Sequence, residues 1–347
     1  METKTLHIRL KGNTKPLEKM ARDVNLVWNY CNELSAKAYK QRHIWLSAYD
    51  LHAYTSGSTE FLNIGSATIQ AIQEEYATRR KQFKKLKLRW RTKKSLGWVP
   101  FKTSQIKFKN GVIRFNKKSF KVWDSYGLEN YELRTGNFSQ DTLGNWYLNV
   151  TVKFEPTKSE GTESIGVDLG LKELATLSDG SSIESNQFYR NLETKLAVAQ
   201  RANKKHQIKN IHRKIKNKRK DFLHKESTEL VKRSKKIAVG NVSSSKLAKT
   251  KMAKSVLDAG WGMFKTMLEY KSRWASVEFK VVNEAYSTQT CSQCGTLSGP
   301  KGLKGLGIRY WVCEDCGAEH QRDVNAARNI LNTGFGHEPL VGGISVL

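Results

Sequence analysis

Two cysteine pairs, Cys291-x2-Cys294 and Cys313-x2-Cys316, stand eighteen residues apart and constrain this chain more than any other feature. A tight C-x2-C turn aims two thiols at one point. Two such turns together make a tetrahedral sulfur cage, the donor set of a closed, structural zinc site. A zinc-held ribbon over 291–317 is therefore expected. Gly299, Gly302, Gly305 and Gly307 read as its hairpin turns rather than as a phosphate cradle. The fifth cysteine, Cys31, lies on an apolar helical face and reads as core. Clustered thiols of this kind argue for a reducing compartment and against a disulfide framework.

Charge narrows the partner. Sixty Lys and Arg against 32 Asp and Glu leave a formal net charge of +28. Nine Trp and thirteen Phe supply enough apolar material for packed cores, which excludes a mainly disordered polycation. No run approaches the ~18 apolar residues of a membrane helix, and the first residues carry no signal-peptide pattern. The expectation is a cytoplasmic protein of the bacterial cytosol or nucleoid, with no membrane partner. Its polyanion is nucleic acid. Between Arg79 and Lys94, ten of sixteen residues are basic and none is acidic; Arg201–Lys220 holds ten more. Blocks of one sign repel themselves and seek phosphate. Arg79, Arg80, Lys84, Lys85, Arg89, Arg91, Lys93 and Lys94 are candidate contacts in the first block. Lys204, Lys205, Arg213, Lys214 and Arg219 are candidates in the second. Phe83, Leu86 and Trp90 recur at helical spacing and read as core anchors.

Periodicity sets the organisation. Leu6, Ile8 and Leu10 alternate with polar residues, so the chain opens on a strand. Helical spacing holds from Asn13 to about Lys94: Val24, Val27, Trp28 and Cys31 mark one helix, and Ile69, Ile72, Tyr76 and Arg79 a second. Short alternating runs then follow from Trp98 to Phe154, with Asn110-Gly111 as a hairpin signal. After the polar stretch Thr157–Glu163 come strands at Ile165–Gly170 and Leu174–Leu177 and a basic helical region from about Gln187 to Lys236. A strand at Ile237–Val239, a helix around Ser255–Trp274 and a strand at Val277–Val282 complete the pattern. Alternation of this kind implies a mixed α/β core. A loosely held, Gly-rich tail is expected over 332–347.

Two carboxylates stand in unusual places. Asp168 ends an apolar strand, and Asp323 opens the apparent helix Asp323–Ile330. Carboxylates from distant segments are able to hold two Mg²⁺ ions for phosphodiester hydrolysis.

With these residues, the stretches GVDLGLKELATLSDG, C-x2-C…C-x2-C and HQRDVNAARNIL resemble the TnpB proteins of bacterial insertion sequences, relatives of type V CRISPR effectors. The resemblance is dense from Ser164 to Leu331 and looser toward the N-terminus, through KSLGWVPF. It implies an α+β multi-domain fold. An RNase H-like (RuvC) mixed-sheet nuclease spans 156–290 and 318–331, with the zinc ribbon at 291–317 inserted. A β-barrel wedge covers 1–12 and 98–155, interrupted by a helical recognition domain at 13–97. It further implies a guide RNA from the element's end, a double-stranded DNA target, and Asp168 and Asp323 as first and third catalytic carboxylates.

The second motif departs from that pattern. The family's strand ends in Glu-Asp-Leu, whereas Ile237-Ala238-Val239-Gly240-Asn241-Val242 puts Gly240 where the glutamate belongs. In one reading the carboxylate has moved to Glu284, at the end of the neighbouring strand. In the other the site is inactive and the chain is an RNA-guided DNA binder. Asp258, inside a helix, is a weaker substitute, read as solvated or paired with a lysine. The leading function is an RNA-guided, Mg²⁺-dependent DNA endonuclease that cuts beside a short flanking motif. A transposase-type protein acting in recombination is the further alternative, although no tyrosine or HUH-type nucleophile motif is present.

Overall fold

The computed structural model describes residues 1–242, 247, 249, 252–302 and 304–336. The chain divides into two compact units, Met1–Glu155 and Pro156–Leu347.

The first unit runs β1 (Glu2–Lys11), α1 (Lys15–Arg42), α2 (Ala48–Ala53), α3 (Ser66–Phe83), β2 (Trp98–Phe101), β3 (Ile106–Lys109), β4 (Val112–Phe115), β5 (Lys118–Val122), β6 (Glu132–Gln140) and β7 (Trp146–Phe154). Its seven strands form one antiparallel sheet in the order β2-β6-β7-β1-β5-β4-β3. β1 is its hinge, pairing with β7 along Glu2–Arg9 and handing over to β5 at Leu10 and Lys11. Strand twist curls the sheet until its far ends meet. Phe101 on β2 lies 6.0 Å from Phe115 on β4, although four strands separate β2 from β4 in the order. Phe138 packs against both rings and Phe120, and fills a nearly closed barrel.

The helices between β1 and β2 pack through one face of α1, including Leu17, Val24, Val27 and Cys31, all buried. Burial pushes the Cys31 thiol up to about 12, as expected of a core cysteine. The expected helix to Lys94 stops at Phe83. Lys84 adopts a left-handed φ of 50°, and like charges at three- and four-residue spacing oppose further turns. Residues 84–97 run instead as irregular chain laid on α1. Asn32 exchanges two hydrogen bonds with Leu88, and Asn29 two with Arg91, at 2.7–2.9 Å. Asn25 donates to the Thr92 carbonyl at 3.3 Å. Three asparagines at i, i+4 and i+7 thus replace a partner strand. Leu88 takes the buried place, while Phe83 and Trp90, expected in the core, are exposed.

The second unit runs β8 (Glu163–Leu169), β9 (Glu173–Leu177), β10 (Ser182–Glu184), α4 (Arg190–Arg201), α5 (Lys205–Arg233), β11 (Ser234–Gly240), α6 (Ala253–Ala259), α7 (Trp261–Trp274), β12 (Glu278–Val282), β13 (Tyr310–Val312), β14 (Glu319–Gln321) and α8 (Arg322–Phe335). Five strands make a mixed sheet, β10-β9-β8-β11-β12, with β8, β11 and β12 parallel. Three expectations need correcting. The basic helical region is two helices, parted at 202–204 where Asn203 has φ 51°. The helix expected over 255–274 is broken at Gly260, whose φ of 72° ends α6. Residues 332–335, expected in a loosely held tail, belong to α8, which continues to Phe335; residues 337–347 lie outside the described ones.

α8 lies directly on the parallel strands. A Cβ at Gly166 of β8 would strike the Ala327 carbonyl and reach 2.9 Å from Leu331 Cβ, so only glycine lets the helix approach this closely. Gly166→Ala is therefore expected to destabilise the chain by about 1–3 kcal/mol through overpacking. Urea midpoints of the full chain measure this, and an unchanged midpoint would contradict the packing.

Candidate active site and thiolate cage

The parallel register brings the carboxylates together. Val167 pairs with Val239, and Gly240 with Val282, so the ends of β8, β11 and β12 lie side by side. Asp168 is the last residue but one of β8, Gly240 closes β11, and Glu284 follows two residues after β12. Asp323 comes from above. Gly166 and Asp168 share a face of β8, and Asp323 lies one turn before Ala327 on the helix covering that face. The sheet's carboxyl edge is a common place for ligand sites in α/β folds.

Electrostatics report the proximity. Partial burial, then the Asp323 and Glu284 charges, push the Asp168 carboxyl up to about 7. Burial also raises Glu284, opposed by the Val242 amide and the Lys265 charge. Lys265 is positioned by donating to the Val242 carbonyl at 3.1 Å. Asp323 accepts from Arg309 at 2.7 Å. A largely buried carboxyl raised by two neighbouring carboxylates is a setting in which a divalent cation would be favoured.

Glu284 occupies the space that Gly240 leaves. A Cβ on Gly240 would be driven into a Glu284 carboxylate oxygen and would lie 3.3 Å from Glu284 Cβ. The missing side chain and the displaced carboxylate are thus complementary. Asp258 lies apart from this cluster and corrects the earlier reading. It is buried, pairs with Arg219 rather than a lysine at 2.8 Å, and accepts from the Tyr189 amide. Arg219 is accordingly a structural partner rather than a free cation for phosphate.

The thiols meet as expected. Their Sγ atoms all lie within 4.8 Å of one another, a donor set able to hold a tetrahedral ion. The two knuckles repeat one geometry: Gly295 donates to the Cys291 carbonyl and Gly317 to that of Cys313, each at 2.9 Å, with both glycines at positive φ. The Ser298 hydroxyl beside Cys313 pulls its thiol down to about 5. Reading the sequence missed His320, whose Nε2 lies 3.0 Å from Cys291 Sγ and whose ring packs on Trp311. It also missed Asn325 and Asn329, which both donate to the Ser287 and Thr290 carbonyls and tie α8 to the first knuckle. All three stand inside or beside HQRDVNAARN, where an unassigned histidine and repeated asparagines were the available signal.

The basic candidates separate into two groups. Arg80 is buried, bonded to Ser35 and to the Leu46 carbonyl, with its guanidinium over Trp45. Arg91 is held by Asn25 and the Leu96 carbonyl, and Arg79 by Glu75. Arg80 and Arg91 are thus used inside the fold, against expectation, whereas Arg79 stays exposed in a surface ion pair. Lys84, Lys85, Arg89, Lys93 and Lys94 are exposed and have no ion-pair partner among the described residues. Lys204, Lys205 and Lys214 are exposed on or beside α5, and Arg213 is half-buried. Among the described residues, no helix is long and apolar enough to cross a membrane.

Comparison with known proteins agrees with this arrangement. A Streptomyces pristinaespiralis protein named "Putative RNA-guided DNA endonuclease" is 30% identical over 92% of this chain and 86% of its own length. The chain belongs to the TnpB family. The profile Cas12f1-like, TNB domain matches residues 261–330, and OrfB_IS605, described as a probable transposase, matches 147–251. The Escherichia coli protein InsQ is 30% identical over 56% of this chain and 55% of its own length. The fold is similar to that of Cas12f1 in a complex with sgRNA and target DNA, with a TM-score of 0.63 and 13% identity over 95% of this chain and 99% of that one.

In this TnpB-family chain the raised Asp168 has a measurable consequence. A carboxyl held above its unfolded value of 3.8 stabilises the fold while protonated, and that contribution is lost as pH rises through about 7. Asp168→Asn is therefore expected to raise metal-free stability by on the order of 2 kcal/mol at about pH 8, and by little at about pH 4. Urea unfolding in Mg²⁺-free buffer at the two pH values checks this. Equal effects at both would mean that the carboxyl is not raised.

Proposed function

We propose that this chain is an RNA-guided, Mg²⁺-dependent DNA endonuclease encoded by a transposable element. The observation that carries it is the fit of the Glu284 side chain into the space over Gly240. That fit supports a relocated carboxylate rather than an inactive site. Asp168, Glu284 and Asp323 would hold the Mg²⁺ ions, which supply an activated water and a stabilised leaving oxygen. The strand order β10-β9-β8-β11-β12 supports reading 156–290 and 318–331 as an RNase H-like nuclease domain. We read 1–12 with 98–155 as the wedge, 13–97 as the recognition domain and 291–317 as a zinc ribbon. A guide RNA and a double-stranded DNA target are the partners, since the relatives' names give RNA guidance and DNA cleavage. Sequence would then be read by base pairing and the flanking motif by the protein.

Purified ribonucleoprotein with Mg²⁺ should cut DNA that matches its co-purifying RNA. Glu284→Gln keeps the side-chain shape without the charge, so target binding should persist while cleavage falls by roughly two orders of magnitude or more. The exchange Gly240→Glu with Glu284→Ala removes the collision and should restore part of the activity. Normal cutting by Glu284→Gln would sink the relocation. A parent protein that binds matched DNA but never cuts it would favour guided binding, and joined strand products without RNA would favour a transposase.

Elemental analysis should find about one zinc per chain, bound through the four thiolates. Cys313→Ser should lose the zinc and expose 291–317 to protease. Full zinc with unchanged protease resistance in that variant would exclude the cage.

A further inference from the structure

An open groove of about 1080 Å³ lies in the first unit, where residues 84–97 cross α1 and the end of α3. Phe83 and Trp90 both line it, with Lys85, Arg89 and Lys94. Trp90 is 48% exposed and Phe83 54% exposed. A single exposed aromatic on a surface needs no explanation. Here the backbone that carries the ring is clamped. Asn29 grips both sides of Arg91, Asn32 both sides of Leu88, and the Arg91 side chain is drawn inward, its guanidinium 5.6 Å from the Trp98 ring. Trp90 is thus held out of the core by a built support, at a fixed place among cations without ion-pair partners.

We propose that Trp90, together with Phe83, stacks an unpaired nucleobase whose flanking phosphates are held by Lys85, Arg89 and Lys94. In a duplex the base faces are already stacked, so a solvent-facing indole has a π-partner only where a base is unpaired. The surrounding charge is strongly basic, its one lining acid, Glu75, being paired with Arg79, and this selects a polyanion over an apolar protein surface. The preorganised backbone lowers the ordering cost of the bound strand. The inference rests on nucleic-acid binding as part of the proposed function, and it is independent of cleavage.

The test uses the full chain freed of RNA by high salt. Short single-stranded RNA and DNA of one sequence, each carrying 2-aminopurine, are titrated at several salt concentrations, with the matching duplexes as controls. The parent should quench 2-aminopurine in single strands, and the chemistry quenched more strongly identifies whether RNA or a displaced DNA strand is the natural occupant. Trp90→Leu should weaken single-strand affinity by roughly 5- to 100-fold and abolish quenching, with the salt slope unchanged. Trp90→Phe should retain most of both. Replacing Lys85, Arg89 and Lys94 by glutamine should instead flatten the salt slope by up to about three units. Parent-like binding and quenching by Trp90→Leu would overturn the proposal, as would equal losses for single strands and duplexes. Urea midpoints establish that each variant is folded. These binding arms stay readable if the parent never cuts DNA, and their failure would leave guided cleavage standing.

Discussion

The close seat of α8 on Gly166 of β8 is the contact on which the second unit depends. Removing one Cβ lets a helix backbone reach a strand backbone, and that approach sets the height of Asp323 over Asp168. The same helix begins where β14 ends, and its Asn325 and Asn329 grip the carbonyls that lead into the first thiol knuckle. A thiolate cage is therefore coupled to a carboxylate cluster through one helix. Metal at the cage would stabilise the local fold and, through those asparagines, the start of α8.

The carboxylate cluster works against the fold that holds it. Burial and mutual repulsion raise Asp168, a cost that a bound divalent cation would offset by supplying opposite charge. Glu284 is restrained by the Val242 amide, and Lys265 beside it supplies partial compensation. A glutamate at Gly240 as well would collide with Glu284 and add a fourth like charge. Two adjacent parallel strands, ending level with one another, let either end carry the group while the other stays small.

In the first unit a different device orders a segment that cannot order itself. Residues 84–96 carry too dense a block of like charge for a helix and are not paired as a strand. Side-chain amides of Asn25, Asn29 and Asn32 satisfy their backbone groups from α1. The arrangement divides the basic block by position: Arg91 turns inward to the amides and an indole, while Arg89, Lys93 and Lys94 stay in solvent.

Local pattern carried much of this protein. Alternation marked β1, β3, β4 and β7, because a half-buried strand writes its two faces into neighbouring residues. The cysteine spacing marked the cage, because a four-thiol site needs two tight turns. Asp168 and Asp323 were legible as charges at the ends of apolar runs, and Glu284 as the charge closing the strand beside Gly240. Other features depend on partners far away in the chain and leave no local period. The helix end at Phe83, the inward turn of Arg80 and Arg91, the outward hold on Trp90 and the burial of Asp258 against Arg219 all arise in this way. Charge density says that a segment seeks counter-charge; it does not say which of its cations a neighbouring helix will engage. Only the packed structure settles that, because a side chain's fate depends on whether burial beside a particular acceptor costs less than leaving it in water.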